Sequence, residues 1–114
     1  MSIGEVCLLT NDVLKLSVFY RNILHISSNS ESAVHQELQL DGTQLTIYND
    51  GTLKNNINQN ICLAFTVENV DTEFEFLQKM GAVVLEIPTT RPWGTRNLHF
   101  IDPDGNHVYF RSLI

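Results

Sequence analysis

Residues 91–111 read RPWGTRNLHFIDPDGNHVYFR. Pro92-Trp93-Gly94 opens the stretch as a turn carrying one large aromatic ring. Asp102-Pro103-Asp104-Gly105-Asn106 sits near its end as a hairpin loop: Pro103 fixes its own φ, aspartate side chains bond back to the local backbone, and Gly105 is free to take a positive φ. The runs on either side, roughly 95–101 and 106–112, alternate and are rich in aromatic and β-branched residues, which predicts two antiparallel strands.

Working back from this hairpin, residues 60–67 (NICLAFTV) predict a strand. Asn69 is placed to cap a helix striped by Val70, Phe74, Leu77 and Met80 and stopped by Gly81. Ala82 to Ile87 predicts another strand. The preceding segment 50–59 (DGTLKNNINQ) is polar and turn-rich and reads as a linker. The first half has the same order. Residues 3–10 predict a strand, Asn11 or Asp12 a cap, and Val13, Leu16, Tyr20, Ile23 and Leu24 one face of a helix that Phe19 widens. Residues 26–32, rich in Ser and Asn, predict a loop or a poorly formed strand. Residues 33–40 and 44–49 predict two more strands about an Asp41-Gly42 turn.

The halves align residue by residue. Asn11-Asp12-Val13 falls over Glu68-Asn69-Val70, and Asp41-Gly42-Thr43 over Asp104-Gly105-Asn106. A repeat of strand, helix and about three strands predicts an α+β fold of two modules, 1–50 and 60–114. Alternation along the strands assigns Val6, Leu8, Leu45, Ile47, Ile61, Leu63, Phe65, Val67, Val108 and Phe110 to the core. It leaves Glu5, Cys7, Gln44, Thr46, Tyr48, Cys62, Ala64, Thr66, His107, Tyr109 and Arg111 on the opposite faces.

Composition narrows the function. A chain of 114 residues, 43% hydrophobic and 18% charged, has the makeup of an ordinary globular domain. Its net charge of −6 argues against nucleic acid, whose binding leans on Lys and Arg at the phosphates. No apolar run approaches the ~20 residues that span a bilayer, and residues 1–12 lack the basic and apolar regions of a signal peptide. A cytoplasmic location without membrane association is the expectation, with Cys7 and Cys62 as free thiols.

The Asp102-to-Asn106 loop and its Trp93-Gly94-Thr95-Arg96 approach resemble the terminal hairpin of the glyoxalase, bleomycin-resistance and extradiol-dioxygenase superfamily, the vicinal oxygen chelate proteins. The two βαβββ modules extend the resemblance over nearly the whole chain. It implies a glyoxalase-like domain spanning 1–114, in which the helix-free faces of the sheets curl into a shared cup, and a homodimer. The family's metal enzymes hold a divalent cation with one His, Gln or Glu from the first strand of each module and a Glu from the last strand of each. Counted along this sequence, those positions fall on Glu5, Thr46, Cys62 and Tyr109. Only Glu5 is a good ligand for an open site, Cys62 is one as a thiolate, and Thr46 and Tyr109 are poor. No cofactor is therefore expected; the alternative is a divalent metal ion on a residual set of Glu5, His35 and His107.

Two function classes stay open. One is a protein that binds a small organic molecule in the cup without metal, through Tyr48, Cys62, Trp93, His107 and Tyr109, with Glu5 as general base or as acceptor for a ligand's hydroxyl or ammonium. The acidic balance suits a cationic ligand. The other is a metal-dependent lyase, isomerase or dioxygenase with substituted ligands. Among single residues, Trp93 is placed to stack on a planar ligand and Arg96 to pair with Asp102 or Asp104. His107 and Tyr109 read as an acid–base pair, Cys62 as a small apolar residue with no histidine beside it, and His25 as a polar residue ending the first helix.

Overall fold

The structure, a computed structural model, describes residues 1–55 and 57–114. The predicted linker at 50–59 contains residue 56, which lies outside the described residues. Two compact units divide the chain, Met1–Asn56 and Ile57–Ile114.

The first unit runs β1 (Val6–Leu9), α1 (Val13–Ile23), β2 (His35–Gln39) and β3 (Gln44–Tyr48). Its sheet has the order β1-β3-β2, with β1 parallel and β2 antiparallel to the central β3. Asp12 is the helix cap, its side chain accepting from the Lys15 N–H at 3.1 Å. Val13, Leu16, Tyr20 and Ile23 of α1 are buried with Leu38, Leu45 and Ile47 of the sheet. Helical spacing on α1 and two-residue spacing on the strands thus bury one face of the sheet, to which Val6 and Leu8, half-buried, also belong.

The strand that the βαβββ pattern places between α1 and β2 is missing, so this unit is βαββ. The reason lies in its serines. The hydroxyls of Ser28, Ser30 and Ser32 accept from the backbone N–H groups of Ser30, Ser32, Val34 and His35 at 3.2–3.4 Å. Those N–H groups are the donors a strand would need for its ladder. Val34, in phase with the apolar side of β2, is accordingly 58% exposed, and Gln36 is buried on that side beside Leu38.

The second unit runs β4 (Cys62–Thr66), α2 (Val70–Met80), β5 (Val83–Thr90), β6 (Thr95–Ile101) and β7 (His107–Leu113). The sheet order is β4-β7-β6-β5, with β4 parallel to β7 and the other pairs antiparallel. Asn69 caps α2, accepting from the Thr72 N–H at 3.1 Å, and Gly81 ends it in the left-handed region at φ 77°. Val70 and Leu77 are buried with Leu98, Phe100, Val108 and Phe110, while Phe74 is half-buried. Ile61 lies before the start of β4 and is 66% exposed, so it leaves the predicted core.

The β6–β7 hairpin closes on Asp102, which is 3% exposed. Its Oδ1 accepts from the N–H groups of Asp104 and Asn106, and its Oδ2 from the Asn106 side chain, each at 2.9 Å. Gly105 stands at φ 84° in this loop and Gly42 at φ 79° in the equivalent turn of the first unit. The strand registers complete the equivalence. Val6 faces Leu45 and Leu63 faces Val108. Glu5 and Cys62 therefore occupy the same place in their sheets, as do Thr46 and Tyr109.

Candidate functional site

Each sheet carries its helix on one face and its chemistry on the other. In the first unit, Glu5 stands just ahead of β1, beside β3. Its Oε2 accepts from the Thr46 hydroxyl at 3.1 Å and from Gln44 Nε2 at 3.4 Å, and Gln44 Nε2 also donates to Thr46 Oγ1 at 3.0 Å. Thr46 is buried, whereas Glu5 is exposed. The carboxylate is thus oriented by two donors and still open to solvent, which suits an acceptor for a ligand's hydroxyl or ammonium. Along β3, Tyr48 meets His35 of β2 edge to face, with centroids 5.5 Å apart. Cys7, opposite Thr46, has its thiol pushed above the usual range by burial first and then by the negative charges of Glu5 and Asp50. A thiol held protonated in this way is a weak nucleophile and a weak metal ligand.

The second unit brings together Cys62, His99, His107 and Tyr109. The register places Cys62 directly opposite His107, and His99 of β6 opposite Tyr109 of β7. The His99 ring stacks on the Tyr109 ring with centroids 4.2 Å apart and planes 5° from parallel. His99 Nε2 meets His107 Nδ1 at 2.9 Å, and His107 Nε2 meets Gln59 Oε1 at 3.3 Å. A contact between two ring nitrogens requires that one carry the proton and the other accept it. Burial lowers the His99 pKa most, and the neighbouring His107 lowers it further, against a smaller opposing pull from Glu86. The chemistry available here is that of a proton-sharing imidazole pair beside a phenol.

Several predicted site residues separate in space. Trp93 sits in the turn between β5 and β6, 68% exposed, with the Arg91 guanidinium 6.0 Å from its ring centroid and Arg91 ion-paired to Glu86. Thr95 starts β6 at that end, while His107 is paired with Ile101 at the other. Six residues of strand, about 20 Å, lie between them. Trp93 therefore does not join Cys62 and His107. The partner of His107 is His99, where the alternation suggested Tyr109. A histidine does lie beside Cys62, because parallel pairing sets β7 against β4. Arg96 binds Asp71 at the start of α2 with two bonds of 2.9 and 3.0 Å, and not the hairpin aspartates. His25 takes φ 56° where the chain leaves α1.

The sequence assigns no role to His99 or Gln59. The phase of His99 with Asn97 and Ile101, opposite Leu98 and Phe100, is the sequence signal that sets it on the helix-free face. Gln59 carries no such signal, because it lies outside any periodic segment.

The residues do not suit the metal site of the family's enzymes. The four equivalent positions supply one carboxylate, one thiol, one alcohol and one phenol. The Thr46 hydroxyl is spent on Glu5, and no group of three or more His, Cys, Asp or Glu side chains converges among the described residues. No helix among them is long and apolar enough to cross a membrane.

Comparison with known proteins matches residues 2–110 to the family model of the Glyoxalase/Bleomycin resistance protein/Dioxygenase superfamily. No curated protein matches the sequence. Among solved structures, a glyoxalase/bleomycin resistance protein/dioxygenase family enzyme from Burkholderia phytofirmans PsJN superposes with a TM-score of 0.83 at 16% identity, over 100% of both chains. A glyoxalase/dioxygenase from Nostoc punctiforme gives 0.79 at 19% identity, over 99% of this chain and 91% of its own. TioX from Micromonospora sp. ML1 gives 0.77 at 18% identity, over 100% of both. At these identities the likeness is one of fold, and the family model carries the assignment: the chain belongs to the glyoxalase/bleomycin resistance protein/dioxygenase superfamily.

Proposed function

We propose that this protein binds a small organic molecule on the helix-free face of its second sheet, around Tyr109, and does so without a resident metal ion. The observation that carries the reading is the Tyr109 environment. Where the family's enzymes use a carboxylate, a phenol lies stacked on an imidazole that is itself held by a second imidazole. A phenol offers an O–H donor and a weak acceptor, which suits hydrogen bonding to a ligand better than coordinating a cation. Ala64, facing Tyr109 from β4, is small and exposed, and leaves room over the strand for a planar group.

The test is a screen of planar aromatic compounds by NMR, following the imidazole signals of His99 and His107. Compounds that move both signals in wild type and lose affinity in Tyr109→Ala support the reading. A library that moves neither signal and leaves the melting temperature unchanged overturns it. Stoichiometric Ni, Mn, Fe or Zn in the purified protein, lost on Glu5→Ala, would replace it with the metal-dependent enzyme.

A further inference from the structure

Arg111 lies two residues beyond Tyr109 on β7 and on the same face of the sheet. Its register neighbours are Thr66 on β4 and Asn97 on β6. It is half-buried, and its side chain makes no ion pair or hydrogen bond among the described residues. The other arginines are all engaged. Arg21 donates to the carbonyls of Ser17 and Ser28, Arg91 pairs with Glu86, and Arg96 pairs with Asp71. Glu86, the carboxylate that β5 contributes opposite His99, is thus already taken. The chain has 13 acidic residues against 7 basic ones, yet none of the acids is bonded to this guanidinium.

A guanidinium cannot escape partial burial by losing its proton. It presents a planar fork of donors matched to a carboxylate or phosphate. Next to it, Asn97 Oδ1 is buried without a hydrogen-bond partner. An amide's O and N are told apart by the bonds they make. In either orientation this amide holds an unused polar group at the side of Arg111, and the Thr66 hydroxyl stands exposed on the other side.

We infer that the ligand is anionic, a planar molecule whose carboxylate or phosphate sits on Arg111 between Thr66 and Asn97 while its body lies along Tyr109. This rests on the binding reading above and reverses the expectation, drawn from net charge, of a cationic ligand. Net charge describes the whole surface, and recognition is decided by the cation at the site.

The experiment titrates 4-hydroxybenzoate, its methyl ester and phenyl phosphate into wild type, Arg111→Gln and Arg111→Lys, with NMR as the readout and circular dichroism as the folding control. The acid or the phosphate is expected to bind wild type about tenfold or more tightly than the ester, a difference typical of one charge-assisted pair. Stronger binding of the acid identifies a carboxylate as the native group, and stronger binding of phenyl phosphate identifies a phosphate. Arg111→Gln should remove the preference, and Arg111→Lys should keep part of it. Equal binding of acid, phosphate and ester to wild type, lost in Tyr109→Ala, overturns the anionic assignment and leaves the binding site standing. A preference for the anions that survives in folded Arg111→Gln also overturns it. Failure of all three probes together with the wider library overturns both readings.

Discussion

Replacing Asp102 by alanine should destabilise the second unit more than any other single change in its loops. The side chain accepts three hydrogen bonds, two from backbone N–H groups and one from Asn106, all at 2.9 Å. A hydrogen bond to a charged group is worth about 1.5–3 kcal/mol when broken in a folded protein. The full sum does not apply, because the loop is partly open and water can reach the freed N–H groups. A loss of about 2–4 kcal/mol remains, equivalent to roughly 10 °C or more in melting temperature for a chain of this size. Asp102→Asn keeps an oxygen where Oδ1 stands and so retains the two backbone bonds. It should lose only about 1 kcal/mol. Urea denaturation of both variants, read by circular dichroism, separates the two. Equal losses, or an Asp102→Ala cost under about 0.5 kcal/mol, would show that Gly105 and Pro103 hold the hairpin without the carboxylate.

Three further outcomes are expected. By NMR titration, His99 should gain its proton at a lower pH than a free imidazole, and His107→Gln should raise that midpoint part of the way, leaving the contribution of burial. Because the folded-state pKa is the depressed one, His99 costs no stability above its unfolded value, and stability falls as pH drops from there through the folded value; a titration that leaves stability flat across that window would contradict the assignment. Cys7 should react slowly with a thiol reagent at neutral pH and faster in Glu5→Gln, since that carboxylate helps hold the thiol protonated; an unchanged rate would count against it. Finally, light scattering at micromolar concentration should give the mass of a homodimer. Edge strand β5 leaves Val83, Leu85 and Ile87 55%, 52% and 63% exposed, and an apolar edge invites pairing; a one-chain mass would refute this.

The fold was legible because its punctuation is chemical. Asp12 and Asn69 cap helices, Gly81 ends one, and the Asp102 carboxylate ties a loop; each acts through its own backbone neighbourhood, which sequence displays directly. Two-residue alternation placed Val108 and Phe110 against α2 and His107, Tyr109 and Arg111 on the other face. What was hidden depends on which strands are neighbours. Only the pairing of β4 with β7 sets His107 beside Cys62, and only that of β6 with β7 stacks His99 on Tyr109. The distance between Trp93 and His107 was likewise hidden, because adjacency in a twenty-residue stretch says little once the chain doubles back. Arg111 was visible on the correct face, but an unpaired cation is recognised only after every possible partner has been located. The strand missing from 26–32 was a competition between serine hydroxyls and a sheet ladder, and the sequence shows both contestants without showing the winner.

The position of β7 bears on how the second unit comes to exist. It lies between β4 and β6, so the sheet has no interior until β7 is made. β5 and β6 can pair as a hairpin as soon as they leave the ribosome, but β4, made earlier than either, has to wait through the whole of α2, β5 and β6 for its neighbour β7. In the first unit the central β3 arrives after a single helix and one strand. Vectorial synthesis therefore allows the first unit to close early and holds the second as an apolar, unpaired β4 with a separate hairpin until His107–Leu113 emerges. A chain truncated before His107 would display that intermediate, with Leu63 and Phe65 lacking the strand that covers them.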